Sequence, residues 1–302
     1  MSIDLSHAAA FLRSHARVLD RRRFQALVTG EDADRRAVID ALDAYRNSDG
    51  GYGWGLEPDL RAPESQPGAA LHALEAIADA GPATSPRTTM LLDWLDSISL
   101  PDGGLPFALP IADPTGCAPF WVHADPAESS LQITAAVAAQ AYRAARWDRT
   151  LADHPWVQAA TRFCFEAIRR IEDQPFAYVL SFALQFLDAA SDAHPEAAEL
   201  LDRLARFIPS DGALPVEGGA AGETVHLASE PGRPLRQLLD PRSVVDELDR
   251  LERAQQPDGG WPVDFASYSA AAALEWRGYA TIAALTTLRA DERWPSIPNE
   301  LA

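Results

Sequence analysis

Four stretches of the chain repeat one design, in which an amphipathic helical segment with an acidic residue near its middle leads to an Asp-Gly turn. The acidic residue and the turn aspartate lie nine positions apart in three repeats and twelve apart in the fourth. The four pairs are residues 38–42 with Asp49-Gly50-Gly51, 91–95 with Asp102-Gly103-Gly104, 200–204 with Asp211-Gly212, and 244–248 with Asp258-Gly259-Gly260. A repeat of roughly 40 to 50 residues indicates an architecture that stacks one supersecondary element.

Helical segments of two kinds alternate along the chain. Amphipathic segments, expected on the outside, cover 33–47, 86–99, 155–172, 194–208 and 241–256, after a leading helix at 5–28. Nearly charge-free segments, expected inside, cover 65–80, 127–146, 176–190 and 268–289. No strand is predicted, and residues 212–239 are expected to be mostly loop. We therefore expect one all-α domain over 1–302, an α/α toroid (barrel) of about five to six helical hairpins, with an open helical solenoid as the alternative.

Composition excludes several kinds of function. The formal net charge of −18 opposes nucleic acids and anionic membrane surfaces, which require basic patches. All 26 basic residues are arginines, so Schiff-base chemistry and a P-loop lysine are excluded. Two cysteines, Cys117 and Cys164, do not form a disulfide framework.

The sequence shows no targeting or membrane segment. The first residues, Met1 to Leu5, lack the charged and apolar regions of a signal peptide. No apolar run approaches the ~18 residues of a membrane span. We therefore expect a cytoplasmic protein with no integral membrane segment and no nucleic-acid partner, while its oligomeric state stays open.

The last repeat carries a recognisable motif. Residues 251–261, Leu-Glu-Arg-Ala-Gln-Gln-Pro-Asp-Gly-Gly-Trp, closely resemble the Gln-Trp repeat of squalene–hopene cyclases and related terpene cyclases. Residues 63–74 resemble the inner helix that follows such repeats, and protein prenyltransferase β subunits share the pattern. The resemblance implies a terpenoid cyclase/protein prenyltransferase-like toroid with an apolar central cavity.

The chain departs from that family in its chemistry. It has no Asp-x-Asp-Asp acid motif, and the nearest sequence, residues 32–35, reads Asp-Ala-Asp-Arg on an expected outer helix. It has no Asp-Asp-x-x-Asp motif and no recognisable Asp/Cys/His zinc set, and its length suits one toroid where squalene cyclases carry two. We therefore expect no metal and no cofactor.

An acidic residue recurs near the start of three inner helices. Glu64, Glu128 and Glu275 align there, and in a toroid the starts of the inner helices gather at one mouth. Together with Asp59 and Asp264 on adjoining loops, they are the predicted catalytic groups, acting as general acid and base. The alternative is that each glutamate only interacts with a helix N-terminus, and repeat ancestry alone could produce the recurrence.

Aromatic and basic residues are expected at the same mouth. Aromatic faces can stabilise a carbocation or stack on a sugar, and an arginine fork suits a diphosphate or carboxylate. Internal salt bridges are the alternative for the arginines. The predicted substrate-binding residues are Trp54, Arg61, Phe120, Trp121, His123, Tyr268, Trp276 and Arg277.

The functional expectation follows from the resemblance and the expected lining of the cavity. We expect a terpene cyclase- or prenyltransferase-like protein that acts on or binds a largely apolar, isoprenoid-type small molecule without the standard acid motif. One alternative is a carbohydrate-active α/α-barrel hydrolase or lyase with paired carboxylates. Another alternative is a non-catalytic binding scaffold.

Overall fold

The computed structural model describes residues 3–82, 86–227, 229–298 and 301, and they are mostly α-helical. The helices are α1 (Leu5–His15), α2 (Val18–Thr29), α3 (Asp32–Ala41), α4 (Pro67–Ala80), α5 (Pro86–Ile98), α6 (Pro119–Val122), α7 (Leu131–Ala145), α8 (Pro155–Arg169), α9 (Ala177–Ala190), α10 (Glu196–Ala205), α11 (Pro234–Leu238), α12 (Pro241–Ala254) and α13 (Ala270–Ala290). Two 3₁₀ segments span Leu42–Tyr45 and Arg149–Asp153. The all-α class is confirmed. The expectation of no signal peptide rests partly on Met1 and Ser2, which lie outside the described residues.

The chain divides into two compact units. The terminal unit combines the two ends of the sequence, Met1–Ala41 and Ile208–Ala302, and the middle unit is Leu42–Phe207. The first helices and the last repeat therefore belong to the same compact unit. No helix in the described part of the chain combines the length and apolarity needed to cross a membrane.

The core of the middle unit is built from the charge-poor helices. Helix α7 packs against both α4 and α9, and almost every residue of these three helices is buried or half-buried. Most of the buried positions of α7 are alanines, and small side chains allow helix axes to approach closely. The amphipathic helices α5, α8 and α10 cover this layer with one apolar face each. The burial explains why α4, α7 and α9 carry so few charges.

The aspartate of each repeat turn organises its own turn. Asp49 Oδ1 accepts the backbone N–H two positions ahead at 2.9 Å, and Asp102 and Asp258 do the same at 3.0 and 3.1 Å. Two of these carboxylates also accept a serine hydroxyl from just before the next inner helix, at 2.8 Å from Ser65 and 2.6 Å from Ser129. One side chain thus fixes both the turn and the approach to the following helix.

The three Asp-Gly-Gly turns each pack against the backbone of another helix, which only glycine permits. Gly50 has φ 95°, and a Cβ there would lie 2.9 Å from the carbonyl oxygen of Met90 on α5. Gly103 has φ 88° and meets Ala159 on α8 in the same way, at 2.8 Å. In the terminal unit the corresponding Gly259 lies against the His7 carbonyl on α1. Helix α1 therefore receives the last turn as α5 and α8 receive the earlier ones.

The Gln-Trp motif strengthens this contact between the two ends of the chain. The side chain of Gln255 accepts the Asp4 N–H at 2.8 Å and donates to the Asp4 carbonyl, also at 2.8 Å. Trp261 is buried and its indole N–H donates to the Leu251 carbonyl at 2.8 Å. Both motif residues therefore act in packing.

Two expectations about secondary structure are wrong. The single helix expected at 5–28 is broken at Ala16 and Arg17, which are extended. Arg17 donates to the Asp20 carboxylate through two nitrogens, at 2.8 and 3.1 Å. The Arg21 guanidinium donates to the Ala16 carbonyl, so that the carbonyl at the break has a side-chain partner. Strands were not expected, but β1 (Ala213–Pro215) and β2 (Thr224–His226) form a short antiparallel pair. Three-residue strands are too short to show an alternating pattern.

The last inner helix is less enclosed than expected. Apart from Ala272, the first half of α13 is exposed or half-buried, with Leu274 38% exposed, and the other buried positions of the helix begin at Gly278. The expectation of an inner helix therefore holds for the second half of α13 only.

Gly259 provides a test of the contact between the last turn and α1. We expect Gly259→Ala to lower the free energy of unfolding by about 3 kcal/mol or more, because it combines a strained backbone with a collision against the His7 carbonyl. Gly218, with φ 74° and nothing within 4 Å of an added Cβ, is the matched control. Gly218→Ala should cost only about 1 kcal/mol. Equal losses in urea unfolding would show that the contact contributes little.

Candidate functional site

Two segments of the middle unit, residues 53–66 and 107–123, are joined around the start of α4. The Ala118 N–H donates to the Asp59 carbonyl at 2.8 Å. Gly116 lies against the aliphatic part of Arg61, where an added Cβ would be 3.4 Å from Cδ. Between position 53 and Trp121, these two segments carry six of the predicted site residues: Trp54, Asp59, Arg61, Glu64, Phe120 and Trp121.

Three aromatic rings form what we call the aromatic cluster: Phe107, Phe120 and Trp121. The Phe107 and Trp121 rings stack with centroids 4.5 Å apart and an interplanar angle of 14°. Phe120 tilts against Trp121 at 5.4 Å and is 49% exposed. The indole of Trp121 lies over Gly68 of α4, where a Cβ would be 3.0 Å from the ring. The cluster thus has a buried base and an exposed rim.

Glu64 is presented by well-anchored neighbours. The Asn47 amide donates to the Pro63 carbonyl at 2.9 Å and to the Ser65 hydroxyl at 3.0 Å. Glu64 itself is half-buried, and its Oε2 atom is buried with no hydrogen-bond partner in the described parts of the chain. A buried oxygen without a donor costs free energy, so it marks a position where a further group can bind.

Cys117 is half-buried, within electrostatic range of Asp113 and Glu64. Burial raises the pKa of the Cys117 thiol, the N–H groups of Arg61 and Ala62 oppose that shift, and the Glu64 charge adds to it. The cysteine is therefore held as a thiol, which is a poor nucleophile.

Trp54 has an unusual backbone conformation. Its φ is 57°, a left-handed value that is strained for a bulky residue, and its side chain is 57% exposed. The indole N–H donates to the Asn47 side chain at 2.8 Å, and the Trp54 N–H donates to the Ala62 carbonyl at 2.8 Å. The protein thus holds an exposed aromatic face in a fixed position on the same loop as Glu64.

Other predicted residues of the middle unit lie on its surface. His123, which ends α6, is exposed. Glu128 is also exposed, and its backbone N–H donates to the Asp125 carbonyl. Ser130 caps α7, so Glu128 is not the capping residue.

The remaining predicted residues lie in the terminal unit. Arg277 donates to both oxygens of Asp258, at 2.9 and 2.7 Å, and its guanidinium lies 4.5 Å from the centre of the Phe11 ring. Asp264 is exposed and accepts the Thr224 N–H at 3.3 Å. Arg277 therefore takes over, in the last repeat, the contact that serines make with Asp49 and Asp102.

The aromatic residues predicted in the terminal unit are only partly buried. Trp276 meets the rings of Phe265 and Tyr279 edge-on, at 5.1 and 5.4 Å. Tyr268 is 47% exposed, and Glu275 is half-buried within the second turn of α13.

The three glutamates hold equivalent positions relative to the hydrogen bonds of their repeats. Thr134 and Thr281 each accept the N–H that follows the repeat turn, at 2.8 and 3.0 Å, and each lies six positions after its glutamate, Glu128 or Glu275. The Gln66 N–H donates to the Tyr52 carbonyl, and the Ser130 N–H donates to the Leu105 carbonyl. Each donor lies two positions after its glutamate, and each acceptor directly follows the glycines of its turn. Convergence of the three carboxylates on one site stays a prediction.

A buried ion cluster on α4 was not predicted from the sequence. His72 Nε2 lies 2.8 Å from Glu57 Oε2, and its Nδ1 lies 2.8 Å from Glu75 Oε2. Glu57 also accepts the Asp59 N–H, through Oε1 at 3.0 Å. Burial alone would lower the pKa of His72, but the hydrogen bonds to the two glutamates outweigh it and raise the pKa to about 9. A single histidine with Glu75 three positions later, on a mostly apolar helix, was the available signal.

The terminal unit contains a separate small cleft, lined by residues that include Ser229, Arg236 and Thr287. His226 and Glu247 line it with Nδ1 and Oε2 3.0 Å apart. Burial would raise the pKa of Glu247, but bonds from Arg250 and His226 lower it overall. None of the residues predicted from the sequence lines this cleft.

Comparisons with known proteins support the fold alone. No family model and no curated protein matches the chain. Among solved structures, the chain is similar to a protein from Actinoplanes, with 16% sequence identity and a TM-score of 0.54. The alignment covers 95% of this chain and 98% of that one. At this identity the likeness carries no information about activity.

The His72 cluster predicts a pH dependence of stability. The pKa rises from 6.5 in the unfolded chain to about 9 in the folded one. The stabilisation is therefore complete below about pH 6.5 and is lost as the pH rises through 9, and it amounts to on the order of 3 kcal/mol. Urea unfolding between pH 6 and 9 should show this loss, and His72→Gln should abolish the slope.

His194 is the matched control for that measurement. Burial lowers the pKa of His194 below its ordinary value, which is the opposite of the shift at His72. The variant His194→Gln should keep the alkaline slope of the wild type. Measurements stop at pH 9 because burial also raises the pKa of Cys164, which lowers stability at higher pH. A wild-type stability independent of pH would contradict a charged His72.

Proposed function

We propose that the protein binds or transforms a largely apolar small molecule of the isoprenoid type at the aromatic cluster, beside Glu64. The observation that carries the proposal is the unpaired, buried Oε2 of Glu64 on a loop joined to a stacked Phe107–Trp121 pair with an exposed rim at Phe120. Apolar aromatic walls with a single converging polar group are typical of small-molecule sites. The resemblance to terpene cyclases suggests the chemical class of the ligand.

The arrangement suits chemistry that passes through a cation. Aromatic faces attract positive charge, and the Glu64 carboxyl group in its protonated form can transfer a proton to a carbon–carbon double bond. Loss of a proton from the resulting carbocation to a base then gives an isomer, so atoms and charge balance without a further reactant. Glu64 would take the role that the missing Asp-x-Asp-Asp motif has in the related cyclases.

Isoprenoid binding can be tested with farnesol. We expect Trp121→Ala to weaken farnesol binding by roughly tenfold or more, because the variant removes the largest ring of the cluster. Isothermal titration calorimetry gives the affinity, and Trp121→Phe serves as a conservative variant if the alanine form is unstable. Trp147→Ala is the control, since Trp147 is 52% exposed in the same unit and donates to the Ala78 carbonyl, away from the cluster.

Conversion is tested separately from binding. Farnesol, farnesyl diphosphate and squalene are incubated with the protein, and products are identified by gas chromatography with mass spectrometry. Glu64→Gln should retain binding and lose conversion, while Glu166→Gln, an exposed glutamate on α8, should change neither. Binding of xylohexaose in preference to farnesol would support the carbohydrate alternative, and binding of neither would leave the scaffold alternative.

We also propose that the repeats close into an α/α toroid. Support comes from the equivalent contacts of the three turns with α5, α8 and α1, since the last turn uses the first helix as its partner. An open solenoid would leave its final turn without such a partner.

The toroid predicts a compact particle in solution. A monomer of 302 residues should have a radius of gyration of about 19 Å. Small-angle X-ray scattering of a monodisperse sample measures it directly. An open solenoid of the same length would give a clearly larger radius and an elongated distance distribution, and that result would exclude the toroid.

A further inference from the structure

We infer that His72 is a positioning residue for the site: it ties α4 to the loop that carries Glu64 and, through that loop, to the helix that carries Trp121. The positioning role of His72 rests on the proposed function. The chain of contacts that leads from His72 to Trp121 is independent of any ligand. No residue of this path belongs to the repeat turns.

The path can be followed from atom to atom. His72 Nε2 on α4 bonds Glu57 Oε2 at 2.8 Å, and the other oxygen of Glu57 accepts the Asp59 N–H at 3.0 Å. The Asp59 carbonyl accepts the Ala118 N–H at 2.8 Å, and Ala118 is the N-cap residue that directly precedes α6. Trp121 lies on α6, so four links connect His72 to the indole ring.

The path returns to its starting helix. The ring of Trp121 packs on Gly68, and Gly68 lies one turn before His72 on the same face of α4. The contacts therefore form a closed circuit from α4 through the two loops and back to α4. A closed circuit restrains the ring from both sides, which is what a preformed binding wall needs.

The circuit includes a charge that packing alone would not require. The rest of α4 is apolar apart from Glu75 and Asp79, and replacing a buried ion cluster by apolar side chains is often neutral or stabilising. His72 is held instead between Glu57 from the loop and Glu75 on its own helix. The loop also carries Asp59, Arg61 and Glu64, and α4 also carries Asp79, which pairs with Arg143 of α7.

The two glutamates differ in a way that makes them matched variants. Each gives one hydrogen bond and one charge to His72, but only Glu57 continues to Asp59. A glutamine at position 57 has a single acceptor oxygen, which cannot serve the imidazolium and the Asp59 N–H together. Glu57→Gln therefore breaks the path, whereas Glu75→Gln weakens the charge on His72 and leaves the path intact.

The position of Trp121 can be read by ¹⁹F NMR of protein labelled with 5-fluorotryptophan, with the resonance assigned by Trp121→Phe. The background carries Cys117→Ser, because that thiol also titrates at alkaline pH. We expect the Trp121 resonance to move with a midpoint near pH 9, since deprotonation of His72 loosens the path. In His72→Gln the resonance should be displaced at pH 7 and should not move with pH.

The variants separate positioning from simple stability. Glu57→Gln should displace the Trp121 resonance at pH 7, and Glu75→Gln should leave it in place while lowering its midpoint pH. His194→Gln, a histidine variant outside the path, should change neither quantity. If the Trp121 resonance does not titrate in the wild type, or if Glu57→Gln and Glu75→Gln act alike, the inference is wrong. The wild-type titration needs no variant to fold.

Farnesol titrations of the same samples connect positioning with function. We expect His72→Gln and Glu57→Gln to weaken farnesol affinity by roughly tenfold through misplacement of the ring. If the wild type does not bind farnesol but Trp121 titrates as described, the proposed function fails and the positioning role stands. If farnesol binds and the Trp121 resonance is indifferent to His72, the function stands and the positioning role fails.

Discussion

The contact between an Asp-Gly-Gly turn and the backbone of another helix is the constraint on which the rest of the fold depends. The two glycines of each of these three turns remove the side chains that would keep the two backbones apart, and the aspartate holds the loop closed. An aromatic ring from the helix that the turn contacts fills the space beside the second glycine of each turn. The rings are Trp94 at Gly51, Phe163 at Gly104 and Phe11 at Gly260. Because backbone packs on backbone, the spacing of helices is fixed before larger side chains contribute.

The candidate site is a consequence of this junction. Ser65 bonds the first turn aspartate, so Glu64, which precedes it, must lie where the loop leaves the turn. Asn47 binds the flanking residues of Glu64 and the indole of Trp54 together. The structural elements that set the repeat therefore also fix the acid and the exposed aromatic face, and no separate scaffold is needed.

The helices and turns could be predicted from the sequence because their causes are local. Glycine after aspartate and the apolar period of each helix lie within a few residues of the structure they produce. The break at Ala16 and the His72 cluster could not be predicted in the same way, since they depend on a side-chain pair and on Glu57, fifteen residues away. Candidate groups such as Glu64 and Trp121 were found by type, but which oxygen lacks a donor depends on three-dimensional packing.

The balance of charge around α4 explains why one glutamate differs from its neighbours. Glu57 and Glu75 are compensated by the imidazolium between them, so their charges belong to the structure. Glu64 lies on the same loop as Glu57 but beyond the reach of that cation, and no donor in the described residues replaces it at Oε2. One histidine provides a hydrogen-bond donor to both Glu57 and Glu75, whereas Glu64 Oε2 has no such donor in the described residues. Leaving Glu64 unsatisfied costs free energy in the unbound protein, and under the proposed function a ligand or a transferable proton at that oxygen would offset this cost.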